Sequence, residues 1–171
     1  QAGDYNSAVN SFTSGLEIIE ENIGKENRNY VFNLSYLAGT YSSLGEYDKA
    51  LELNIQCLAL YEKISGKEHP DYALALGNLA ITYLYLGDYD KALEMNLACL
   101  SSRKKVLGRE HPDYALSLSN LALTYSDLGD YDKAIEMISE NLSILQSRIL
   151  TSESSLDEDL RLQGLISAQS S

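Results

Sequence analysis

The stretch GKEHPDYALALGNLAITYLYLGDYDKALEMNLACL, from Gly66, returns 42 residues later as GREHPDYALSLSNLALTYSDLGDYDKAIEMISENL, from Gly108. Gly3, Gly45, Gly87 and Gly129 fall in one column of that register, each opening the pattern G-[DE]-Y-[DN]-[KS]-A. The units that begin at Gly45 and Gly87 agree at about 26 of 42 positions. Self-similarity at this period restricts the fold to a stack in which each unit buries its apolar face only against its neighbours.

Each unit reads as two helices. Pro70 and Pro112 suit a first helical position, where the missing N–H would have had no partner. Asp71 and Asp113 then set negative charge against the positive end of the helix dipole. Along DYALALGNLAITYLYL, Leu76, Leu79, Ala80 and Tyr83 recur at intervals of three and four, the helical period. Gly87 ends that helix, and DYDKALEMNLACLSSRKKVL supplies a second one ending at Gly108. No run alternates with period two. The expected fold is all-α, a right-handed superhelical solenoid of antiparallel helix pairs. Helices are expected over about 4–22, 29–44, 46–65, 71–86, 88–107, 113–128 and 130–149.

The array should therefore occupy 1–150, as a half repeat over 1–28 followed by units from about 29, 71 and 113. Over 151–171 the Gly, Tyr and Asn landmarks are lost while Leu156, Leu160 and Leu165 remain, which suits a degenerate polar capping helix with a Ser-rich tail. The opening QAGDYNSAV matches the middle of a unit, so the chain reads as a fragment. Its first helix, deprived of a pair, is expected to expose Val9, Phe12, Leu16 and Ile19 and so to offer a surface for self-association.

Composition narrows the function. With 44% hydrophobic residues, only 2 Pro and 171 residues, the chain can bury a core. A net charge of -12 disfavours nucleic acid and anionic membranes as partners, because both require a basic face. No apolar run approaches a membrane span and no signal peptide is visible.

Cys57 and Cys99 stand in equivalent columns. Stacked repeats put such positions roughly 10 Å apart, beyond the ~7 Å limit for a disulfide. They are expected to be buried, reduced thiols, consistent with a cytoplasmic chain. His69 with Glu68 and Asp71, and His111 with Glu110 and Asp113, offer one imidazole per loop, too few ligands converging on a point for a metal. No cofactor is implied. Cys57 and His69 lie on different segments and do not form a dyad, and neither a Gly-rich phosphate loop nor a Ser nucleophile motif is present, so no enzyme is expected.

Of the 13 tyrosines, ten form three repeat columns: Tyr5, Tyr47, Tyr89 and Tyr131; Tyr41, Tyr83 and Tyr125; Tyr30, Tyr72 and Tyr114. These are expected to pack between helices. Tyr36, Tyr61 and Tyr85 are off-pattern. Wound at 100° per residue, the first helix of each pair carries a second stripe opposite its core stripe: Leu74, Gly77, Asn78, Ile81, Leu84 and Tyr85. The flanking units place there Phe32, Ser35, Tyr36, Gly39, Ser42 and Ser43, then Leu116, Ser119, Asn120, Leu123, Ser126 and Asp127. Tyr61 lies outside it, on a second helix.

Ala80, Tyr83, Gly87, Tyr89 and Ala92 resemble the tetratricopeptide repeat pattern. The 42-residue period, with G-[KR]-E-H-P-D-Y-A-L and N-L-A-x-T-Y, is similar to the subtype found in kinesin light chains. The resemblance covers about 1–150. It implies that the stripe lines a concave groove receiving extended peptides, and that Asn78 and Asn120 hydrogen-bond the peptide backbone. An amide suits that task because it both donates and accepts. Tyr36 replaces the third Asn of the column. The same residues could instead pack against neighbouring helices.

The candidate groove residues are thus Asn78, Asn120, Tyr36, Tyr85, Leu74, Ile81, Leu116, Leu123 and Asp127. The stripe holds no Lys or Arg, so a neutral, apolar or basic extended segment of a protein or peptide is the expected ligand. Two functions fit: a non-catalytic protein-interaction scaffold, or an assembly or regulatory module of a larger protein.

Overall fold

The structure, a computed structural model, describes residues 2–169, with side chains described over residues 5–152. Among these lie seven α-helices and no strand: α1 Ala2–Asn22, α2 Arg28–Ser43, α3 Tyr47–Ser65, α4 Pro70–Tyr85, α5 Tyr89–Val106, α6 Pro112–Asp127 and α7 Tyr131–Gln169. Each packs on its neighbour in sequence, and α4 also touches α6. The molecule is an all-α solenoid.

One column of residues starts the groove helices. The Nδ1 atoms of His69 and His111 accept hydrogen bonds from the N–H groups of Asp71 (3.2 Å) and Asp113 (3.1 Å). Asn27, 42 residues before His69, accepts from the N–H of Asn29 at 2.8 Å through Oδ1. All three are N-caps in extended backbone. The loop histidines therefore begin helices, a role that the Pro and Asp beside them left hidden.

A second column ends them. Gly45, Gly87 and Gly129 have φ of 77°, 76° and 79°, and each donates its N–H to a carbonyl three residues back at 3.0 Å. The following N–H groups, of Glu46, Asp88 and Asp130, reach the carbonyls of Tyr41, Tyr83 and Tyr125 at 2.9, 3.0 and 2.8 Å. This double closure is the Schellman motif, which requires a left-handed residue at the glycine. Lys49, Lys91 and Lys133 then lie 5.0, 5.2 and 5.1 Å above the rings of the same three tyrosines.

Small residues let the paired helices approach: Ala38, Ala80 and Ala122 on one side and Ala50, Ala92 and Ala134 on the other are all buried. Between units, Asn54 donates to Thr82 Oγ1 at 2.9 Å, and Asn96 to Thr124 Oγ1 at 2.8 Å. A buried amide is costly unless it is bonded, so this pair fixes the register of one unit on the next.

The structure corrects three expectations. Leu16 is buried, and Val9, Phe12 and Ile19 pack against the first core cluster with Tyr30, Val31 and Leu34. The apolar side of α1 faces α2, leaving Tyr5 and Ile18, and Ile23 just past the helix end, exposed instead. The last helix does not stop near residue 149 but continues unbroken to Gln169. Beyond residue 152 the side chains of the expected capping segment lie outside the described residues. Finally, Tyr30 and Tyr114 are buried as expected, whereas Tyr5, Tyr89 and Tyr131 are exposed. Tyr89 and Tyr131 each follow a tight turn by two residues, which holds them at the rim.

Candidate functional site

The second stripe lies on α2, α4 and α6, the helices that share one side of the stack. Its large apolar members Phe32, Tyr36, Leu74, Ile81, Tyr85, Leu116 and Leu123 are exposed. The stripe is therefore a surface of the array and not a second core.

Between α2 and α4 that surface opens into a cavity of about 430 Å³, lined in part by Phe32, Ser35, Tyr36, Tyr61, Leu74 and Asn78. A smaller one of about 160 Å³ adjoins it at Ser35, Gly39 and Asn78 and includes Ile81. Tyr36 is held by aromatic packing on both sides, with Phe12 stacked at 5.6 Å and Phe32 edge-on at 4.6 Å. It is exposed yet has little freedom to leave the cavity wall. The backbone carbonyl of Asn78 accepts from Thr82 Oγ1 at 2.9 Å, and that of Asn120 from Thr124 Oγ1 at 2.9 Å. Among the described residues neither side-chain amide is hydrogen-bonded, so both retain donor and acceptor capacity.

Four of the expected residues thus converge around these cavities: Tyr36, Leu74, Asn78 and Ile81. Others lie apart. Tyr85 stacks on Tyr47 with ring centroids 5.0 Å apart. Leu116, Asn120 and Asp127 continue the stripe on α6, while Leu123 borders a separate hollow of about 530 Å³ between α6 and α7.

Two residues behind the groove were not visible in the stripe. Tyr61, on α3, is only 3% exposed, belongs to the core and also lines the main cavity. It is therefore no bystander outside the site. The equivalent residue 42 positions on is Arg103, on α5, also buried at 4%. Its Nη1 donates to the Asp113 carbonyl at 2.8 Å and to Ser117 Oγ at 2.9 Å. A methyl group at Gly77 would lie 3.8 Å from Arg103 Nη2 and 3.5 Å from Cys99 Sγ. So one cation does approach the groove from behind, although the stripe itself holds none. The signal available in the sequence was the off-pattern pair Tyr61 and Arg103 in one repeat column.

The thiols belong to the same layer. Ser35 Oγ donates to Cys57 Sγ at 3.3 Å, and Cys99 Sγ donates to the Ala73 carbonyl at 3.2 Å. Both cysteines are free and buried, and burial pushes the Cys57 thiol up to about 11. Both pack between the helices of the core layer. No group of three or more His, Cys, Asp or Glu that could hold a metal occurs among the described residues. No helix among them is long and apolar enough to cross a membrane.

The Tetratricopeptide repeat family model matches residues 1–63, 30–105 and 84–147. The chain belongs to the tetratricopeptide repeat family. It is of the kinesin-light-chain-like type, by its period and by the solved structures that it resembles. BtubC (BKLC) from P. vanneervenii superposes with a TM-score of 0.78 at 22% identity, over 85% of this chain and 58% of that one. A Podosopora anserina putative kinesin light chain with nearly identical TPR-like repeats gives 0.74 at 25% identity, over 86% and 69%. The apo form of RapI gives 0.71 at 20% identity, over 84% and 40%. The chain thus spans a little over half the length of BtubC. No curated protein matches the sequence. Tetratricopeptide arrays are protein-interaction scaffolds and are generally non-catalytic.

Proposed function

We propose that this tetratricopeptide array binds an extended segment of a partner protein in the groove formed by α2, α4 and α6. The observation that carries the reading is the cavity of about 430 Å³ where Tyr36, Leu74 and Asn78 meet. It combines apolar area with an amide that has no other hydrogen bond among the described residues. A cavity of that size accepts one large side chain, while Asn78 and Asn120, one unit apart, read peptide backbone. The segment should be apolar, and neutral or basic. Asp127 is the charged member of the stripe, and Arg103 is already committed to Asp113 and Ser117.

The test is selection of a binder from a random dodecapeptide library, followed by photo-crosslinking from a benzoylphenylalanine placed at Tyr36 or at Leu97. Leu97 is exposed on α5, away from the stripe. Capture from position 36 but not from 97 is expected. Capture from 97 alone moves the site off the groove. A second reading, assembly with another copy of the chain, is favoured by an apolar face on α7.

A further inference from the structure

Helix α7 has 39 residues, against 16 to 21 for the other six. One side of it belongs to the array. Ala134 and Ile144 are buried there, Asn141 Nδ2 donates to Ser119 Oγ at 2.7 Å, and Glu140 accepts from Tyr114 Oη at 2.9 Å and pairs with Arg109 at 2.6 Å. Beside it runs a different face. Tyr131, Ile135, Ile138, Leu142, Leu145 and Ile149 are each between 40% and 65% exposed. Their spacing is 4, 3, 4, 3, 4. This is the seam of a helix that pairs with another helix at a 3.5-residue period.

The repeat register shows what this face has become. In α3 the same columns hold Leu51, Asn54, Leu58, Tyr61 and Ser65, covered by α4. In α5 and its C-cap they hold Leu93, Asn96, Leu100, Arg103 and Leu107, the helix being covered by α6. Asn54 and Asn96 are the residues that bond the next unit through Thr82 and Thr124, and Arg103 reaches into α6. In α7 the five are Ile135, Ile138, Leu142, Leu145 and Ile149, aliphatic throughout. The polar groups that recognise a following repeat helix are gone, yet the face is continuous with the one that α3 and α5 use for packing.

We propose that this seam pairs with the same seam of a second copy of the chain, so that the array is a dimer through α7. A uniform aliphatic stripe is complementary to itself, which an isologous contact requires. Charge permits it. In a molecule of net charge -12, the residues flanking the seam are Asp132, Ala134, Ser139, Asn141, Gln146 and Arg148, with the acidic one confined to the first turn of α7 and a cation at the other end. The area is sufficient: six large side chains about half exposed leave on the order of 500–700 Å² on each copy, near the ~800 Å² per partner of a stable interface. The seam adjoins the last unit of the stripe, since Ser119, Leu123 and Ser126 share a hollow with Ile135, Ile138 and Leu142, but the association needs no bound peptide.

Sedimentation of the full 171-residue chain over a concentration series tests it, with Ile138→Asn and Leu145→Arg as variants. Both restore residues that the array already carries in those columns, so both fit the repeat frame. Wild type should sediment as two chains at about 100 µM, and each variant should weaken the association at least tenfold. Leu97→Gln, on the exposed side of α5, should leave the mass unchanged. Should a variant lose its helical circular dichroism, hydrogen exchange of the wild type decides instead. Protection that rises with concentration over 131–149 supports the seam. A monomer at that concentration, a dimer that both variants leave intact, or exchange over 131–149 independent of concentration overturns it.

Discussion

Two gaps along the groove are built on one frame and closed by different residues. Between α2 and α4 the residue behind is Tyr61, and the gap opens into the aromatic cavity of Phe32 and Tyr36. Between α4 and α6 the residue behind is Arg103, whose guanidinium ties α5 to the Asp113 carbonyl and Ser117 and lies against Gly77. The stripe residues facing outward also differ, with Phe32, Tyr36 and Gly39 standing in the columns that hold Leu74, Asn78 and Ile81 one unit on. The column behind them differs in size, charge and bonding. Units on one repeat frame can therefore present different walls and different floors, the walls set by the first helix of each pair and the floor by the second.

The largest effect expected from this comparison is on stability at the first gap. Tyr61→Ala removes a buried ring from the core and should cost about 3–5 kcal/mol in urea unfolding. Arg103→Ala should cost less, about 1–3 kcal/mol. It loses two hydrogen bonds, but it also relieves a buried cation that no carboxylate pairs with among the described residues. An inverted order would mean that the guanidinium, and not apolar packing, holds the middle of the array together.

Next come the caps that bring α4 and α6 to the groove. His69→Ala and His111→Ala should each cost about 1 kcal/mol, while His69→Asn and His111→Asn, which copy Asn27, should be nearly neutral. Equal losses for Ala and Asn in thermal unfolding would show that the ring matters for something other than its Nδ1 acceptor.

The smallest effect lies at Gly77. An added methyl group would meet Cys99 and Arg103 at ordinary contact distances, so Gly77→Ala should gain helix propensity and stabilise by about 0.5–1 kcal/mol. A loss instead would show that the guanidinium needs more room than its rest position indicates.

How much of this was legible beforehand follows from what periodicity measures. The 42-residue repeat and the three-and-four spacing of Leu76, Leu79, Ala80 and Tyr83 locate helices and faces, and the first six helices end within two residues of expectation. The stripe was likewise readable, because Tyr36, Leu74, Asn78 and Ile81 do share one surface. Periodicity is silent about what stands behind a face. Arg103 reaches the groove from α5 by the length of its side chain, and Tyr61 serves core and cavity together. The direction in which α1 turns its apolar side was also missed: Val9, Phe12, Leu16 and Ile19 pack on α2. The cap column was in the text all along, as Asn27, His69 and His111. It went unread because histidine suggests chemistry before it suggests an acceptor.

The central claim is that the amides of the stripe hold a peptide, and the affinity of a library-selected dodecapeptide for wild type and for the Asn78→Ala, Asn120→Ala double variant tests it most directly. Each amide contributes roughly 0.5–1.5 kcal/mol net, so the pair should weaken binding about tenfold or more while circular dichroism stays helical. Affinity should change little with salt for a neutral peptide. An unchanged affinity in the folded double variant would contradict the account.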